Sequence, residues 1–407
     1  MERTIVGIDV GSDKICTLVG EIDGQGEIQV IGVGTVDAHG IRKGVVVNVA
    51  EATAAITSSV EAAERTSGYQ IERAYVGLSG THISSLNSRG VVGISRREQG
   101  IIEEDVDRVL DAAYAIAVPH NKEVIHVIPR GYVVDGQSGV QDPVGMHGFR
   151  LEVEAHIVTA SSTAIQNLVK CVEGAGVEVD ELVLTAIAAG GAVLSETERE
   201  MGVVLADMGA GTTDIAIFIE GSVWHTVTLG VGGEYITGDI AIGLRVPPPV
   251  AEQIKVAHGH ARSALVTPEE RFNVSEFDRE NPQVVPRWKL ADIVEARAEE
   301  MLSMIQQEIK RSGYDGLLSA GVVLCGGTAE LNGMQELGRD IFGLPVRIGR
   351  PTGLVGLVDN VSNPRYATGV GLLRWGMTAQ SRPQMRKREP SWGSKFVDWL
   401  KRAFLPD

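Results

Sequence analysis

Residues 5–12 read IVGIDVGS and residues 204–214 read VLADMGAGTTD, so one short phrase occurs twice, about 200 residues apart. Each copy is a run of apolar residues that leads to an Asp and then to a turn rich in Gly. Such a run predicts a buried β-strand followed by a tight turn. Either copy alone fits an ordinary hairpin as well as a ligand site. Two matching copies predict two related halves that face one polyphosphate.

The chemistry of a phosphate chain explains these residue types. Phosphate oxygens are bound by backbone N–H groups at close range, and Gly is favoured there because a side chain would block the approach. Hydroxyls of Ser12, Thr212 and Thr213 add donors. A carboxylate cannot lie against bare phosphate, so Asp9 and Asp207 indicate a Mg²⁺ ion that they reach through water. The pattern therefore predicts a nucleotide with magnesium.

Two common nucleotide-binding motifs are absent from the sequence. No G-x-x-x-x-G-K-[ST] occurs and no G-x-G-x-x-G follows a predicted strand, which argues against a P-loop and against a dinucleotide fold. A third element is residues 321–329, GVVLCGGTA, an apolar run that breaks into two glycines before a predicted helix. Two glycines would let the flat rings of a nucleoside lie against the backbone, although this signal is weak by itself.

In this order, the three elements resemble those of the superfamily that contains actin, the sugar kinases and the heat-shock chaperone ATPases. The resemblance implies an α/β, actin-like fold of two duplicated, ribonuclease H-like domains that bind ATP and Mg²⁺ between them. It implies three turns around the nucleotide: Gly11, Ser12 and Asp13 beside Lys14; Asp207, Gly209, Gly211, Thr212 and Thr213; and Gly326, Gly327 and Thr328. Asp9, Asp207 and Asp214 are the candidates to hold the ion or to orient an attacking water, and slow hydrolysis is the most that the resemblance implies.

Residues 250–255, VAEQIK, follow three prolines and predict a helix that begins after them. Glu252 and Lys255 are three residues apart and share a face of that helix. In the superfamily such a helix presents a carboxylate to the ribose hydroxyls and a base to the adenine, whereas the alternative is an ordinary surface ion pair. Gly232 and Gly233 resemble a further phosphate loop, with a hairpin as the alternative.

The composition fits a large α/β protein with more than one core. The chain has 407 residues, of which 43% are hydrophobic, so we expect two or more domains. Its three Cys are widely separated in apolar runs, which predicts buried, reduced thiols rather than disulfides or metal ligands. The sequence begins MERT directly before an apolar run, so we expect no secretory leader and a cytosolic location.

Residues 381–407 differ from the rest of the chain. The whole chain has a formal charge of −16, yet this tail has seven Lys or Arg residues against three acidic ones. Residues 381–391 contain two prolines and no apolar period, which predicts a flexible linker. Residues 392–405 predict an amphipathic helix of about 21 Å, too short to span roughly 30 Å of hydrocarbon but suited to an anionic membrane surface.

The apolar and the basic side chains of this predicted helix lie on opposite faces: Trp392, Phe396, Trp399, Leu400 and Phe404 on one, and Lys395, Lys401 and Arg402 on the other. The alternative is that the helix docks onto the acidic body or onto a partner protein. Nucleic-acid binding by the basic run is disfavoured because the body is acidic and has no matching basic patch.

Residues 84–161 form a predicted insertion between the first two phosphate elements. The pattern indicates a small β/α unit with a strand near Val91, a helix from Glu103, and strands over 124–134 and 151–158. Thr163 and Gln166 then predict a capping box at the start of the next helix.

Within this insertion, residues 128–137 (IPRGYVVDGQ), 142–146 (DPVGM) and 150–153 (RLEV) resemble the insert of the bacterial cell-division FtsA family. Together with the nucleotide motifs and the tail, this resemblance covers essentially the whole chain. It implies a peripheral membrane protein of the division septum that self-associates, contacts other division proteins and holds the tubulin-like protein FtsZ at the cytoplasmic face of the inner membrane through the C-terminal helix.

The resemblance also implies a partner site and domain boundaries. A second insertion covers about residues 227–307, and a helix is predicted from about Leu290 to Ser312. By the resemblance, the FtsZ C-terminal tail would dock on this insertion, with Arg287, Lys289 and Arg297 as contacts. The alternative for these residues is a solvated charged face. The implied subdomains are 1–83 with 162–194, the insert 84–161, 195–226 with 308–380, 227–307, the linker 381–391 and the membrane helix 392–405.

Three other classes share this fold. A pilus-assembly actin-like protein would share the nucleotide motifs and the insert but lack the membrane helix. A small-molecule kinase would need an Asp base beside a substrate pocket, and no loop of the sequence stands out as one. A chaperone ATPase would carry a β-domain after the body, where this sequence has only the 27-residue tail.

Overall fold

A computed structural model describes residues 3–381 except 23–26, 96–99, 116–117, 277–282 and 358–360. Its strands are, in chain order, β1 (Arg3–Val10), β2 (Lys14–Ile22), β3 (Ile28–Asp37), β4 (Ile41–Arg42), β5 (Val45–Val46), β6 (Arg73–Leu78), β7 (Ser84–Gly93), β8 (Lys122–Val134), β9 (Gln137–Val140), β10 (Arg150–Ser161), β11 (Glu178–Leu184), β12 (Val203–Met208), β13 (Thr213–Ile219), β14 (Ser222–Leu229), β15 (Arg271–Asn273), β16 (Val284–Pro286), β17 (Gly321–Cys325), β18 (Val346–Ile348) and β19 (Leu354–Gly356). Its α-helices are α1 (Val49–Ser67), α2 (Glu103–Tyr114), α3 (Ser162–Gly174), α4 (Thr185–Val193), α5 (Glu196–Met201), α6 (Gly233–Leu244), α7 (Pro248–His258), α8 (Arg287–Ser312), α9 (Met334–Phe342) and α10 (Ala367–Ser381).

Two sheets of the same design confirm the predicted duplication. In the first, the strand order is β11-β6-β1-β2-β3-β19, and in the second it is β14-β13-β12-β17-β18. Each sheet begins with an antiparallel meander of three strands, β1–β3 or β12–β14, and then adds two strands parallel to the first. Since the repeated phrases form β1 and β12, the duplicated sequence occupies equivalent places in the two sheets.

The pattern of apolar residues explains why these strands are internal. All seven residues of β13 are buried, as are six consecutive residues of β2, because helices or the other half cover both faces of each sheet. Helix α4 is apolar on every side and packs against α10 as well as against β12 and β13. It therefore lies between the two halves, at the base of the cleft that separates them.

The insertion is a four-stranded antiparallel sheet of order β7-β10-β8-β9, with α2 packed on β7 and β10. Its small core includes Leu151, Val153 and Ala155 of β10. This confirms the predicted β/α unit. The sheet also contacts the second half, because Ser85 donates to the backbone oxygen of Thr226 at 2.8 Å and Ser222 donates to that of Pro129 at 2.7 Å.

Three local predictions need correction. The capping box at Thr163 and Gln166 is wrong, because α3 begins at Ser162, where β10 runs directly into the helix, and no side chain caps its start. Helix α8 begins three residues earlier than predicted, immediately after Pro286. Helix α7 begins at Pro248, so prolines occupy its first turn, where they cost no hydrogen bond.

Other expectations concern cysteines, membrane segments and domain limits. Cys16, Cys171 and Cys325 are buried and free, as predicted. In the described part of the chain, no helix combines the length and apolar character needed to cross a membrane. The membrane-helix residues that the sequence indicated, within 392–405, lie outside the described residues. The subdomain boundaries stay a prediction.

Candidate functional site

A cavity of about 360 Å³ lies where the first hairpins of the two sheets meet. Its walls come from the turns after β1 and β12, the starts of α4 and α6, one face of α7, and the turn after β17. The volume is within the range of small-ligand pockets. The two repeated phrases thus supply opposite walls of one cleft.

The turns of the two hairpins close in the same way. The backbone N–H of Gly11 donates to the Lys14 oxygen at 3.0 Å, and that of Gly209 donates to the Thr212 oxygen at 2.9 Å. The turns also touch, because a Cβ placed on Gly211 would lie 2.6 Å from the Ser12 hydroxyl oxygen. Only Gly allows this approach, so the sequence preference for Gly has a direct steric cause here.

Most residues that the sequence assigned to the nucleotide line this cleft: Gly11, Ser12, Asp13, Lys14, Asp207, Gly209, Gly211, Thr212, Gly233, Glu252, Lys255, Gly326, Gly327 and Thr328. Two of the assigned residues, Thr213 and Gly232, are not among the lining residues. The Thr213 hydroxyl donates to the Val231 oxygen at 2.8 Å, away from the cleft. Gly232 precedes the first residue of α6, so Gly232 and Gly233 start a helix rather than a hairpin.

On the side expected to hold the nucleoside, Gly326 has a φ of +82°, a value in the left-handed region that residues other than Gly adopt infrequently. The Thr328 hydroxyl donates to the Gly209 oxygen at 2.8 Å and so joins the third turn to the second. This contact fixes the turn after β17 beside the second phosphate turn, as the order of the motifs requires.

Glu252 and Lys255 form an ion pair of 2.7 Å on α7. The side chain of Lys255 is only 10% exposed, and its ammonium group also donates to the Gly233 oxygen at 3.2 Å. The pair is therefore anchored to the start of α6 at the cleft wall, unlike an ordinary surface pair. Its contact with a ribose or a base stays a prediction.

The two carboxylates of the repeated phrase have different partners. Asp9 lies 3.8 Å from the Lys14 ammonium group, and burial raises its pKa while Lys14 opposes that shift. Asp207 accepts a hydrogen bond from Thr368 at 2.8 Å. Burial, and then repulsion by Asp214, raise the pKa of Asp207 to about 7.

Asp214 is bound by hydroxyl groups from both halves. Ser79, at the end of β6, donates to its two carboxylate oxygens at 2.9 and 2.7 Å, and Thr228 donates at 2.6 Å. Thr212 donates at 3.2 Å. Burial raises the pKa of Asp214, whereas these hydroxyls favour its ionised form. Asp214 thus connects the first half to the second at the cleft floor.

The donor set suits a hard cation that is held through water. Within the described ranges, no three His, Cys, Asp or Glu side chains are grouped to bind a metal directly. Asp9 and Asp207 nevertheless both line the cleft beside the Gly turns, and carboxylate oxygens are ligands that Mg²⁺ and its waters prefer. The residues therefore fit the predicted ion, whose presence stays a prediction.

Sequence reasoning missed several residues of the cleft. Ser79, Thr185 and Thr368 line it but belong to no Gly-rich motif. A signal existed for the first two, since β6 and β11 are parallel to β1 and end at the same edge of the sheet. Side chains directly after such strands are brought to one place.

The three predicted partner contacts lie on or beside α8, and two of them are already paired. Arg287 binds Glu270 at 2.5 Å, and Arg297 binds Asp239 at 2.6 Å. Lys289 is exposed and, among the described residues, has no ion pair. Beside it, Trp288 and Val284 are 43% and 57% exposed.

Comparison with known proteins identifies the family. The family described as "Cell division protein FtsA" matches residues 204–371, and the "SHS2 domain inserted in FTSA" matches residues 80–159. A Cell division protein FtsA of Pseudomonas aeruginosa is 44% identical over 93% of this chain and 90% of its own length. The Cell division protein FtsA of Escherichia coli K12 is 35% identical over 99% of this chain and 98% of its own length. The chain belongs to the FtsA family.

Solved structures agree with this fold. The chain described as "PilM-PilN type IV pilus biogenesis complex" has a TM-score of 0.61 at 15% identity, over 92% of this chain and 98% of its own. MreB5 of Spiroplasma citri bound to AMPPNP has a TM-score of 0.55 at 15% identity, over 93% and 97%. At this identity the likeness concerns the fold alone. This FtsA-family chain has the actin-like ATPase fold, with the family's SHS2 domain inserted.

Proposed function

We propose that this chain is an ATP-binding division protein that self-associates and tethers FtsZ filaments to the cytoplasmic face of the inner membrane. The observation that carries the nucleotide part is the meeting of two equivalent Gly turns, one from each half, around one cavity. A ligand held by both turns would favour closure of the halves, and closure would in turn bias self-association.

The charges of the cleft support a metal-bound nucleotide. Seven carboxylates line it, against the three cationic groups of Lys14, Lys255 and Arg365. A free triphosphate would meet a net negative wall, whereas a triphosphate that carries Mg²⁺ brings part of the compensating charge. We therefore propose that Asp9 and Asp207 contact the water shell of the ion.

The test of the nucleotide site is isothermal titration with ATP, first with Mg²⁺ and then with a chelator. We expect binding with Mg²⁺ and an affinity at least about tenfold weaker without it, which corresponds to about 1.4 kcal/mol. Asp207→Asn should weaken binding, whereas Asp315→Asn, which changes a residue that does not line the cleft, should not. Absence of binding in Mg²⁺ would overturn the nucleotide site.

The membrane part of the proposal depends on residues 392–405. One short amphipathic helix is a marginal anchor, but several helices along a filament gain effective concentration. Removal of residues 392–407 should abolish co-sedimentation with anionic vesicles and leave ATP binding intact. A second variant, Trp399→Ser with Phe404→Ser, keeps the basic charges and should also fail to sediment. Unchanged sedimentation of both variants would refute the anchor.

The partner part of the proposal centres on Lys289. A partner tail that carries both acidic and apolar residues would fit an exposed cation next to the exposed Trp288 and Val284. Arg287 and Arg297 would contact such a tail only with the guanidinium N–H groups that their own ion pairs leave unused. Lys289 is therefore the residue whose change tests docking without disturbing the fold.

The docking test uses fluorescence anisotropy of a labelled peptide with the FtsZ C-terminal tail sequence. Lys289→Glu should weaken binding at least about tenfold. Lys310→Glu is the matched control, since it is exposed near the other end of α8 and about 31 Å away along the helix. Equal loss in both variants would indicate a general charge effect and would remove the assigned site.

The pilus-assembly and kinase alternatives have no specific observation in their favour. The likeness to the PilM chain is a likeness of fold, and the relatives at 35–44% identity are division proteins. As for a kinase base, Asp214 already accepts hydrogen bonds from Ser79, Thr212 and Thr228.

A further inference from the structure

Thr185 occupies a distinctive position at the floor of the cleft. It is the first residue of α4, a helix of nine residues whose amino end lies at the cavity. The residue is 6% exposed and lines the cavity together with Asp9, Asp207 and Asp214. The first residues of a helix have backbone N–H groups without partners inside the helix, which adds partial positive charge at this point.

Unlike the other hydroxyls near the floor of the cleft that are described below, the Thr185 hydroxyl has no hydrogen-bond partner among the described residues. Ser79, Thr212 and Thr228 each donate to Asp214, and Thr368 donates to Asp207. The Thr185 hydroxyl lies near enough to Asp214 to favour its ionised form, yet no described atom meets it with hydrogen-bonding distance and angle. A buried polar group left in this way costs about 1–3 kcal/mol, so a ligand that formed a hydrogen bond with it would remove this cost.

The surroundings decide which ligand this hydroxyl would take. A Cβ placed on Gly77 would lie 3.4 Å from the Thr185 methyl carbon and 3.6 Å from an Asp9 oxygen, so Thr185 and Asp9 border the same small space. With Asp9 on one side and Asp214 on the other, a bare anion is repelled. A water molecule fits, because it can donate to a carboxylate and exchange a hydrogen bond with the hydroxyl.

We infer that Thr185 positions the water that attacks the terminal phosphate of the bound nucleotide. This inference depends on the proposed nucleotide function. In the step, the water oxygen bonds to the γ-phosphorus, and the bond to the oxygen that bridges to the β-phosphate breaks. That bond's electron pair leaves with ADP, and the proton of the water departs on the inorganic phosphate. Thr185 orients the water and takes no proton, which makes turnover slow.

The experiment compares Thr185→Val, which has nearly the same shape without the hydroxyl, with Thr185→Ser, which restores it. Affinity for ATP with Mg²⁺ is measured by titration, and hydrolysis by single-turnover release of labelled phosphate. We expect Thr185→Val to bind within about twofold of the unmodified chain and to hydrolyse at least about tenfold more slowly. Thr185→Ser should recover most of the rate.

Two measurements exclude a merely structural effect. Thr57→Val, a matched change on α1 whose hydroxyl donates to the Thr53 backbone, should leave affinity and rate unchanged. The melting temperature of Thr185→Val should equal or exceed that of the unmodified chain, because the change removes a buried polar group that has no hydrogen-bond partner.

The outcomes that overturn the inference are distinct from those that overturn the nucleotide function. An unchanged hydrolysis rate in Thr185→Val with normal binding rejects the positioning role. If Thr185→Val needs a different Mg²⁺ concentration but hydrolyses ATP at an unchanged rate, the positioning role is also rejected. The hydroxyl would then contact the water shell of the ion. Binding without any phosphate release by the unmodified chain also rejects it while the nucleotide site stands. Absence of binding would overturn both.

Discussion

The hairpins β1–β2 and β12–β13 have the same backbone and opposite electrostatics. Both turns close with one N–H to carbonyl bond, of 3.0 and 2.9 Å. In the first hairpin, Asp9 is paired across the strands with Cys16 and has the Lys14 cation 3.8 Å away. In the second, the same position holds Asp207, which is paired with a second carboxylate, Asp214.

This difference shows that the two copies of the repeat have the same backbone turn but different side-chain charges. The turn geometry follows from a buried strand and small residues, and those requirements are equal in both halves. The local charge follows from single side chains that the geometry does not fix. As a result the second hairpin concentrates negative charge at the cleft floor, and the first supplies a cation. We expect a metal ion to matter more to the second hairpin than to the first.

The largest expected effect comes from separating the two turns. Gly211→Ala would place a methyl group 2.6 Å from the Ser12 hydroxyl oxygen and 3.1 Å from the Lys43 Cα, so the hairpins must move apart. We expect ATP affinity to fall by about a hundredfold, the order of loss that misplaced positioning groups cause in reaction rates. Isothermal titration measures the loss.

Gly316→Ala is the control for this change. No atom lies within 4 Å of the Cβ that it would add, and its loop is outside the cleft. It should bind ATP as the unmodified chain does. If Gly211→Ala kept its affinity, the two turns would not share one ligand, and the comparison between them would lose its functional meaning.

The second effect tests the charge difference directly, through stability in the presence of a chelator. Burial, and then repulsion by Asp214, raise the pKa of Asp207 from its ordinary value to about 7, so the folded state holds this proton more tightly than the unfolded chain does. The corresponding stability is fully present below the unfolded pKa and is lost as the pH rises through about 7. Asp207→Asn removes that loss.

We expect Asp207→Asn to gain about 1–2 kcal/mol of unfolding free energy over the unmodified chain between pH 5 and pH 8, a figure reduced because cleft water screens the charge. Asp9→Asn should gain less, because Lys14 already compensates Asp9. Denaturant titrations at the two pH values measure both. Equal gains in the two variants would show that the hairpins do not differ electrostatically.

Sequence reasoning succeeded where a pattern fixes the backbone. The repeated apolar runs predicted β1 and β12, and the Gly residues that follow them predicted both turns and the cleft between them. The strand-like runs within 84–161 predicted the strands of the inserted sheet. In each case the signal depends on periodicity and on steric limits at Gly, which act locally and can be read from the chain.

The sequence could not reveal contacts that arise only when distant elements meet. Ser79 and Asp214 are 135 residues apart, and Thr368 and Asp207 are 161 apart. Nothing in their local patterns distinguishes these hydroxyls from others. The same applies to the start of α3, where tertiary continuity with β10 took the place of the capping box that Thr163 and Gln166 predicted.

A third, smaller effect should follow if the first hairpin is made to resemble the second. Lys14→Met removes the cation beside Asp9. The pKa of Asp9 should therefore rise further, and the net charge of the cleft should become more negative. We expect ATP affinity to fall by about tenfold, with a stronger dependence on Mg²⁺. Lys170→Met, exposed on α3, is the matched control and should change neither quantity. An unchanged affinity in Lys14→Met would mean that the first hairpin contributes shape alone.

The smallest effect concerns a contact between the halves that lies outside both hairpins. The Lys43 ammonium group donates to the Tyr235 hydroxyl at 2.5 Å and also lies 5.0 Å from its ring centre. Tyr235→Phe removes the hydrogen bond and keeps the ring, so we expect ATP affinity to fall by less than about fivefold, about 1 kcal/mol. Lys43→Ala should lose a similar amount, and the double variant should lose little more, because both changes remove one interaction. Additive losses would show that Lys43 and Tyr235 act separately, and the hairpins would then be the main connection through which a bound nucleotide joins the two halves.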